Sequence, residues 1–488
     1  MDLSDDDLIS SFVSDAQFYQ AQGLYDQTLS CYIQCLEFSK NRWGEEHPAV
    51  VTSLNNLASF YYSQGRNGLA EYFYVKSLEL TRRLWVAEHL DVATSLNNLA
   101  SFYYSQGRYS EVEPLYIEVL VIRRKLLAAE HLDVATSLKN LAYLYCFKSK
   151  YSEAETLYIE ALAIKSKLLG KEHPDVATSL NKLAEIYCYQ AKYSEAEPLY
   201  IEALKIRCNL LGEEHPDVAN SLNNLATLYC SQGKYNEAET LYAQALALKC
   251  KLLGEKHRDV ATIFNNLATL YRYQGRYREA RLLFTQVLAL RRKLLGEEHR
   301  DVAVSLNNLA ALSYSQGMYR EAELFIIQAG SIIKKLLGEE HIDFATHLNN
   351  RAEICRFQGK YQQAEQFFMQ ALAHKRKLLG EVHPDVANIL NNLAVVYYSQ
   401  GKFSEAEPLF IQALAIIRQL LGEEHPDFAT SLNNLAFFYY SQGRYSEAEP
   451  LFIQALDILE RRLGTNHPHT FSVHYNLADL HDSLNSEQ

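Results

Sequence analysis

The chain has 488 residues, 48% of them hydrophobic, which is enough for a large core and too many for a disordered polymer. Its 47 basic and 59 acidic side chains sum to −12, which excludes the electropositive surface that non-specific nucleic-acid binding requires. No run of about 18 apolar residues is present to cross a membrane, and 8 cysteines in so long a chain do not make a disulfide framework.

In chain order, the start Met1-Asp2-Leu3-Ser4-Asp5-Asp6-Asp7 is acidic and lacks the regions of a signal peptide, so a cytoplasmic protein is expected. Residues 1–46 read as a degenerate helix pair acting as a cap. They keep Tyr19, Gly23, Tyr25 and Tyr32 but carry Val13 and Ser14 where later units have paired asparagines. Residues 47–466 follow one period. Histidines recur every 42 residues from His47 to His467, and two glycine columns, through Gly233 and through Gly254, keep that spacing or a multiple of it. A fixed period of this length predicts a single solenoid of ten units, not the three domains that length alone suggests.

Each period reads as two helices. Ala219, Leu222, Leu225, Ala226 and Tyr229 form one helical stripe, and Tyr235, Ala238, Leu241, Tyr242, Ala245 and Leu246 form the next. Gly233 suits a left-handed turn between them and Gly254 the end of the second helix. First helices open on His-Pro-Asp, as at His173-Pro174-Asp175, with proline at the first helical position and the aspartate at the positive helix end. Second helices carry Ser-Glu-Ala-Glu, as at Ser194 to Glu197, which predicts a capping box. Residues 467–488 read as a closing helix and tail. Leu477 and Ala478 continue the stripe there, while Asp479, Asp482 and Ser483 predict a polar outer face.

The set Asn224-Leu225-Ala226, Tyr229, Gly233, Tyr235, Ala238, Tyr242, Ala245 and Leu246 resembles the tetratricopeptide repeat. The 42-residue unit, with Leu211 through Ala219, Leu222 through Ala226 and Lys192 through Leu199, is similar to the repeats of kinesin light chain, over essentially residues 5–484. The resemblance implies an all-α solenoid, a right-handed superhelix of antiparallel helix pairs. It also implies a non-enzymatic adaptor or scaffold that binds extended peptides on its concave face, and by family name a partner of a kinesin heavy chain in cargo transport. Kinesin light chains carry a heptad coiled coil before their repeats; here the repeat register begins within the first twenty residues, which favours cargo-type recognition over motor attachment. The alternative is an assembly protein that docks a folded partner or its own copies through the convex face or the ends.

No nucleotide-binding glycine loop, His-Glu-x-x-His or nucleophile constellation stands out, so neither an enzyme nor a cofactor is expected. The histidine column does not suit a metal, because equivalent positions in stacked helices lie about 10 Å apart and zinc needs its ligands within ~2.3 Å of one ion. A structural role where the first helices begin is expected instead. The cysteine columns at Cys146, Cys188 and Cys230, and at Cys208 and Cys250, read as buried small thiols.

The asparagines are the candidate binding residues, because a mid-helix amide needs a reason and offers both donors and an acceptor. By the resemblance, the second residue of each pair contacts the peptide backbone: Asn98, Asn140, Lys182, Asn224, Asn266, Asn308, Asn350, Asn392 and Asn434. A ladder of asparagines between neighbouring helices is the other reading. Beside them stand Tyr104, Tyr189, Tyr273, Tyr314 and Tyr398, and the cations Lys139, Lys182, Arg272 and Arg356, against Glu185 and Glu353. That set predicts an acidic ligand with an aromatic anchor, or else a few charges on a solvated face. One stretch departs from the pattern: Gly330 and Arg351 stand where leucine recurs, and Ser313 and Cys355 where tyrosine recurs. A soft point or pocket near 313–357, or ordinary drift, follows.

Overall fold

The computed structural model describes residues 5–85 and 88–486. They form 23 helices and no strand. The chain divides into two compact units, 1–144 and 145–488.

In the first unit, α1 (Asp5–Ala21) pairs with α2 (Tyr25–Trp43), α3 (Pro48–Ser63) with α4 (Asn67–Leu84), and α5 (Leu90–Ser105) with α6 (Tyr109–Leu126). The unit boundary falls within α7 (Leu132–Phe147). The second unit continues with α8 (Tyr151–Leu169), α9 (Pro174–Tyr189), α10 (Tyr193–Leu211), α11 (Pro216–Ser231) and α12 (Tyr235–Leu253). Then come α13 (Arg258–Tyr273), α14 (Tyr277–Leu295), α15 (Arg300–Ser315), α16 (Tyr319–Leu337) and α17 (Ile342–Phe357). It ends with α18 (Tyr361–Leu379), α19 (Pro384–Ser399), α20 (Phe403–Leu421), α21 (Pro426–Tyr440), α22 (Tyr445–Leu463) and α23 (Pro468–Ser486).

Local chemistry explains the regularity. Each of His173, His215, His299 and His425 sits in extended backbone at an N-cap, where its Nδ1 accepts from the amide two residues on. This satisfies one of the orphan donors at the helix start, and it is the structural role of the histidine column. Gly233 and Gly254 adopt φ of +73° and +77°, positive values that glycine takes without penalty where each helix ends, Gly254 with an extended ψ of 157°. The predicted capping box does not form. The second helices start one residue earlier, at Tyr193 in α10, with Lys192 as a cap that makes no side-chain bond. Ser194 therefore lies inside the first turn and donates to the Glu195 carboxylate instead.

Packing follows the alanine columns. Ala226, Ala238, Ala245 and Ala268 are wholly buried, letting backbones approach while Tyr242, Leu270 and Phe284 fill between them. Two polar nodes recur. In one, Tyr229 and Tyr271 donate to Glu197 and Glu239 of the preceding second helix, and the turn cations Lys234 and Arg276 lie over those rings and pair with the same carboxylates. In the other, Arg123, Lys165, Arg207 and Arg291 reach forward to Ser137, Ser179, Ser221 and Ser305. Where that serine is Ile263 or Ile389, the cation is Lys249 or Lys375, and each pairs at 2.7 Å with a carboxylate, Asp259 or Asp385.

Two expectations are corrected. The outer face of α23 is not wholly polar: Phe471 and Tyr475 are 70% and 66% exposed, because no further helix pair covers that face among the described residues. Among the thiols only Cys35 and Cys355 are fully buried; the other six are half-buried. Burial pushes the Cys146 and Cys188 thiols up to about 12. Among the described residues no helix is long and apolar enough to cross a membrane.

Candidate functional site

Within the second unit, consecutive first helices touch directly, α9 with α11, α11 with α13, α13 with α15, α17 with α19 and α19 with α21. With α15 and α17 joined through α16, they form a row, and the paired asparagines lie along it, half-buried except for the buried Asn181. The pairs interlock. The second amide of one repeat donates to the first amide oxygen of the repeat before: Asn140 to Asn97 at 3.0 Å, Asn266 to Asn223 at 2.9 Å, Asn308 to Asn265 at 2.6 Å and Asn476 to Asn433 at 3.0 Å. The ladder reading is therefore realised at these rungs.

Elsewhere the ladder is interrupted. Lys182 has no amide to offer and pairs with Glu185 at 2.7 Å on its own helix. Asn181 is buried, and in its satisfied orientation its oxygen accepts from Arg207, so Asn224 finds no rung there. From α15 to α21 three successive rungs are missing. The oxygens of Asn307, Asn349 and Asn391 are buried without a partner among the described residues, as is that of Asn55, the position Asn98 faces. Asn392 turns away to Glu353 and Asn388. Asn350 receives a weak bond from Asn349, and the amide nitrogens of Asn350 and Asn434 donate to nothing among the described residues.

The aromatic candidates fall into two groups by helical phase. Tyr273 and Tyr189 lie seven residues beyond the second pair position, about two turns on and so on the same face. Tyr273 is 55% exposed, and Tyr189 stacks on Tyr151 with its hydroxyl on Glu185. Tyr104, Tyr314 and Tyr398 lie six residues on and turn toward their own second helices. There they pack against Tyr109, Tyr319 and Phe403 at 5.3, 5.9 and 5.8 Å between centroids. Sequence spacing alone had merged these groups. Phe357, also at the seventh position, shares the exposed phase.

Three neighbouring first helices bring cations and rings together. The Arg272 guanidinium lies 4.7 Å from the Tyr273 ring centroid on α13 and reaches Ser315 of α15. Arg356 lies 3.9 Å over Phe357 on α17, and Phe357 meets the Tyr314 ring edge-on at 4.8 Å. Burial, with the Glu353 charge behind it, pushes the Tyr314 hydroxyl up to about 12. Burial also raises the Glu353 carboxyl, against the opposing pull of Arg356 and the Asn392 amide. Lys139 is exposed and lies in the first unit, while Lys182 is neutralised by Glu185, so the cationic character concentrates at Arg272 and Arg356.

The irregular stretch is repacked. Gly330 leaves room for the His347 ring, which sits where a side chain on 330 would have to go. The Arg351 guanidinium lies 4.4 Å over Phe367. Ser313 is too short to reach back as tyrosine does. Glu321 instead accepts from it and accepts two further hydrogen bonds from the guanidinium of Arg281, which stands where neighbouring repeats carry glutamate. A cavity of about 860 Å³ opens beside them, lined by Gly317, Met318, Tyr319, Glu323, Gln358 and Lys360 among others. Among the described residues no group of acidic, histidine or cysteine side chains could hold a metal ion.

A family model described as tetratricopeptide repeat matches residues 16–83, 91–167, 140–209, 175–251, 217–293, 259–335, 343–419 and 385–436. A second model of the same description matches 428–469. No curated protein matches. Among solved structures, the chain is similar to nearly identical TPR-like repeats of a Podosopora anserina protein described as a kinesin light chain. One such structure is 30% identical, covering 42% of this chain and 97% of that one, with a TM-score of 0.40. Another is 29% identical, covering 43% and 99%, with a TM-score of 0.40. BtubC (BKLC) from P. vanneervenii is 28% identical, covering 46% of this chain and 91% of that one, at 0.40. The matched segments span most of the array, and the chain belongs to the tetratricopeptide repeat family.

Proposed function

We propose that this protein is a non-enzymatic scaffold that captures extended peptide segments along its row of first helices, centred on α13 to α19. The observation that carries the reading is the strip Arg272–Tyr273, Tyr314 and Arg356–Phe357, which adjoins the stretch where the asparagine ladder lies open from Asn307 to Asn391. An amide oxygen with no partner can be reoriented toward a peptide N–H without breaking an existing bond. The two arginines add charge-assisted bonds to carboxylates, and the exposed rings add a contact surface of low entropic cost. The ligand class is therefore an extended segment with acidic residues and an aromatic anchor. Asn224, Asn350 and Asn434, which are not tied into rungs, are its main-chain contacts. Asn140, Asn266 and Asn308 chiefly hold the helices in register.

By resemblance to kinesin light chain repeats, such a segment would belong to a cargo protein in the cytoplasm, with a kinesin heavy chain as a further partner. Titration of the full chain with a fluorescent library of extended Asp/Glu-rich peptides carrying Trp or Phe tests the groove. Arg272→Ala/Arg356→Ala should weaken the tightest binders tenfold or more and flatten their salt dependence. Unchanged affinity would refute the assignment. Co-precipitation of a motor heavy chain from lysate would test the transport reading separately.

A further inference from the structure

Eleven histidines share one position in the repeat, yet two of them in the second unit are unlike their neighbours. His383 and His425 are 6% and 8% exposed, while His173, His215, His257 and His299 remain partly open to solvent. What covers them is distant in sequence. His383 Nε2 lies 3.3 Å from the Phe147 carbonyl and 3.4 Å from Ser149 Oγ. His425 Nε2 lies 3.1 Å from the Tyr189 carbonyl. Each carbonyl lies 236 residues before its histidine, between five and six periods, so the coil of this unit has come round and rests on itself. A third contact continues the series, since His467 packs against Gly233.

The receiving side carries its own mark. Among the described residues only Ser149 and Ala191 adopt positive φ without being glycine, at +57° and +54°. Both stand in the column that holds Gly107, Gly233, Gly275 and Gly317 in other repeats, and both are buried. These are the two turns on which His383 and His425 sit. A side chain in that backbone region is disfavoured, and here Ser149 supplies a hydroxyl to the histidine that docks on it.

The hydrogen bonds fix the protonation state. Nδ1 of His383 and of His425 accepts from the Asp385 and Asp427 amides, so Nε2 carries the proton and donates to the carbonyl across the contact. Only a neutral ring satisfies both sides. We propose that His383 and His425 latch one turn of the second unit's coil to the next, and that acidification opens the latch.

The charged and titratable groups around each ring bear on the direction. Asp385 and Lys375 flank His383, the Lys375–Asp385 pair partly cancelling, and Tyr151 faces it from α8. Asp427 and Arg462 flank His425, with Tyr193 facing from α10. Burial dominates at both histidines and holds them below the ordinary imidazole range, against the opposing pull of the aspartates and of the Phe147 and Tyr189 carbonyls, so the loss on protonation falls on the Nδ1 side of each ring. The closed state therefore binds fewer protons than the open one. The latch is fully engaged above about pH 6.5, the value of an exposed histidine, and is lost as pH falls below it.

The test compares the full chain with His383→Asn/His425→Asn and with the control His215→Asn/His299→Asn. Asparagine keeps an N-cap in both, so only the reach across turns differs. X-ray scattering and hydrogen exchange are read at pH 7.5 and 5.5. At pH 7.5 the latch variant should show a larger maximum dimension and at least tenfold faster exchange at residues 149–151 and 191–193. The control should match wild type. Acidification should carry wild type to the same state and move the variant no further. A latch variant as compact and protected as the control, or an unchanged pH response in it, would overturn the proposal. Should the variant not fold, wild type alone decides. Exchange at 149–151 must accelerate on acidification relative to 317–319, a turn of the same kind with no side chain docked on its glycine, and equal responses at the two turns sink the idea.

Discussion

Gly330 and His347 offer the sharpest test of how this array tolerates its own irregularity. A Cβ on residue 330 would lie 2.2 Å from both Cε1 and Nε2 of His347 and 2.7 Å from Nδ1. The ring cannot easily yield: it is buried, and Phe344 packs beside it with centroids 5.6 Å apart. In an ordinary helix interior, alanine would gain about 1 kcal/mol over glycine. Overpacking costs about 1–3 kcal/mol, and contacts this short call for the upper end, so Gly330→Ala should lose about 2 kcal/mol net. His347→Ser alone empties the space and should cost about 2–3 kcal/mol, as large-to-small core changes do. Gly330→Leu/His347→Ser restores the leucine and serine that neighbouring repeats carry at these places, as Leu288 and Ser305 do, and should recover most of both losses. Because arrays need not unfold as one unit, the assay is native-state hydrogen exchange at α16 and α17, with urea unfolding alongside. A gain of about 1 kcal/mol in Gly330→Ala, as in an unhindered helix, or a Gly330→Leu/His347→Ser protein no more stable than His347→Ser, would refute this account of the packing.

Further expectations follow from the same packing. Burial, aided by the nearby Arg351 charge, holds the His347 imidazole down at about 4. The unfolded chain then takes up a proton first, so wild type should lose stability as pH falls from about 6.5 and level off near 4, by roughly 3 kcal/mol; urea melts at pH 7 and 4 should show a smaller loss in His347→Ser. Asp259→Asn should cost about 3 kcal/mol or more by stranding the buried Lys249 ammonium, and Lys249→Met added to it should recover most of that loss in the same melts. Asn308→Asp sets a carboxylate against the Asn265 oxygen and should cost about 1–3 kcal/mol, whereas Asn350→Asp, outside any rung, should cost less in thermal melts.

Much of this fold was legible because its signals are local. A glycine that must turn left and a proline at a helix start need no knowledge of the rest of the chain, and a 42-residue period reports both in every unit. The capping box misled because Tyr193 starts its helix one residue before Ser194, a displacement set by the preceding turn and not by the Ser-x-x-Glu spacing. At the candidate site, residue type was readable and orientation was not. Six or seven residues beyond a pair look alike on the page, yet 100° of helix rotation puts Tyr314 against its own second helix and leaves Tyr273 in solvent. Likewise, identical asparagine pairs gave no hint that Asn308 would be tied and Asn392 turned away. That depends on what neighbouring side chains such as Glu353 do.

In an array this regular the departures carry the information, and several of them come in complementary sets. Ile263 stands beside the Lys249–Asp259 pair, Ile389 beside Lys375–Asp385, and Gly330 faces His347. The largest set is Arg281, Ser313 and Glu321, in which charge and hydroxyl are exchanged around one node and every member keeps a partner. Uncompensated drift would instead leave stranded charges and voids, because each repeat contacts mainly its neighbours and a lone change breaks one interface outright. The complement of a departure therefore lies one repeat away, wherever stability is a nearest-neighbour matter. Ser149 and Ala191 are the exception that shows what else the chain encodes. Nothing in the adjoining repeats answers them, and their counterparts, His383 and His425, stand 234 residues further on. A departure without a neighbouring complement marks a contact that the repeat itself does not specify.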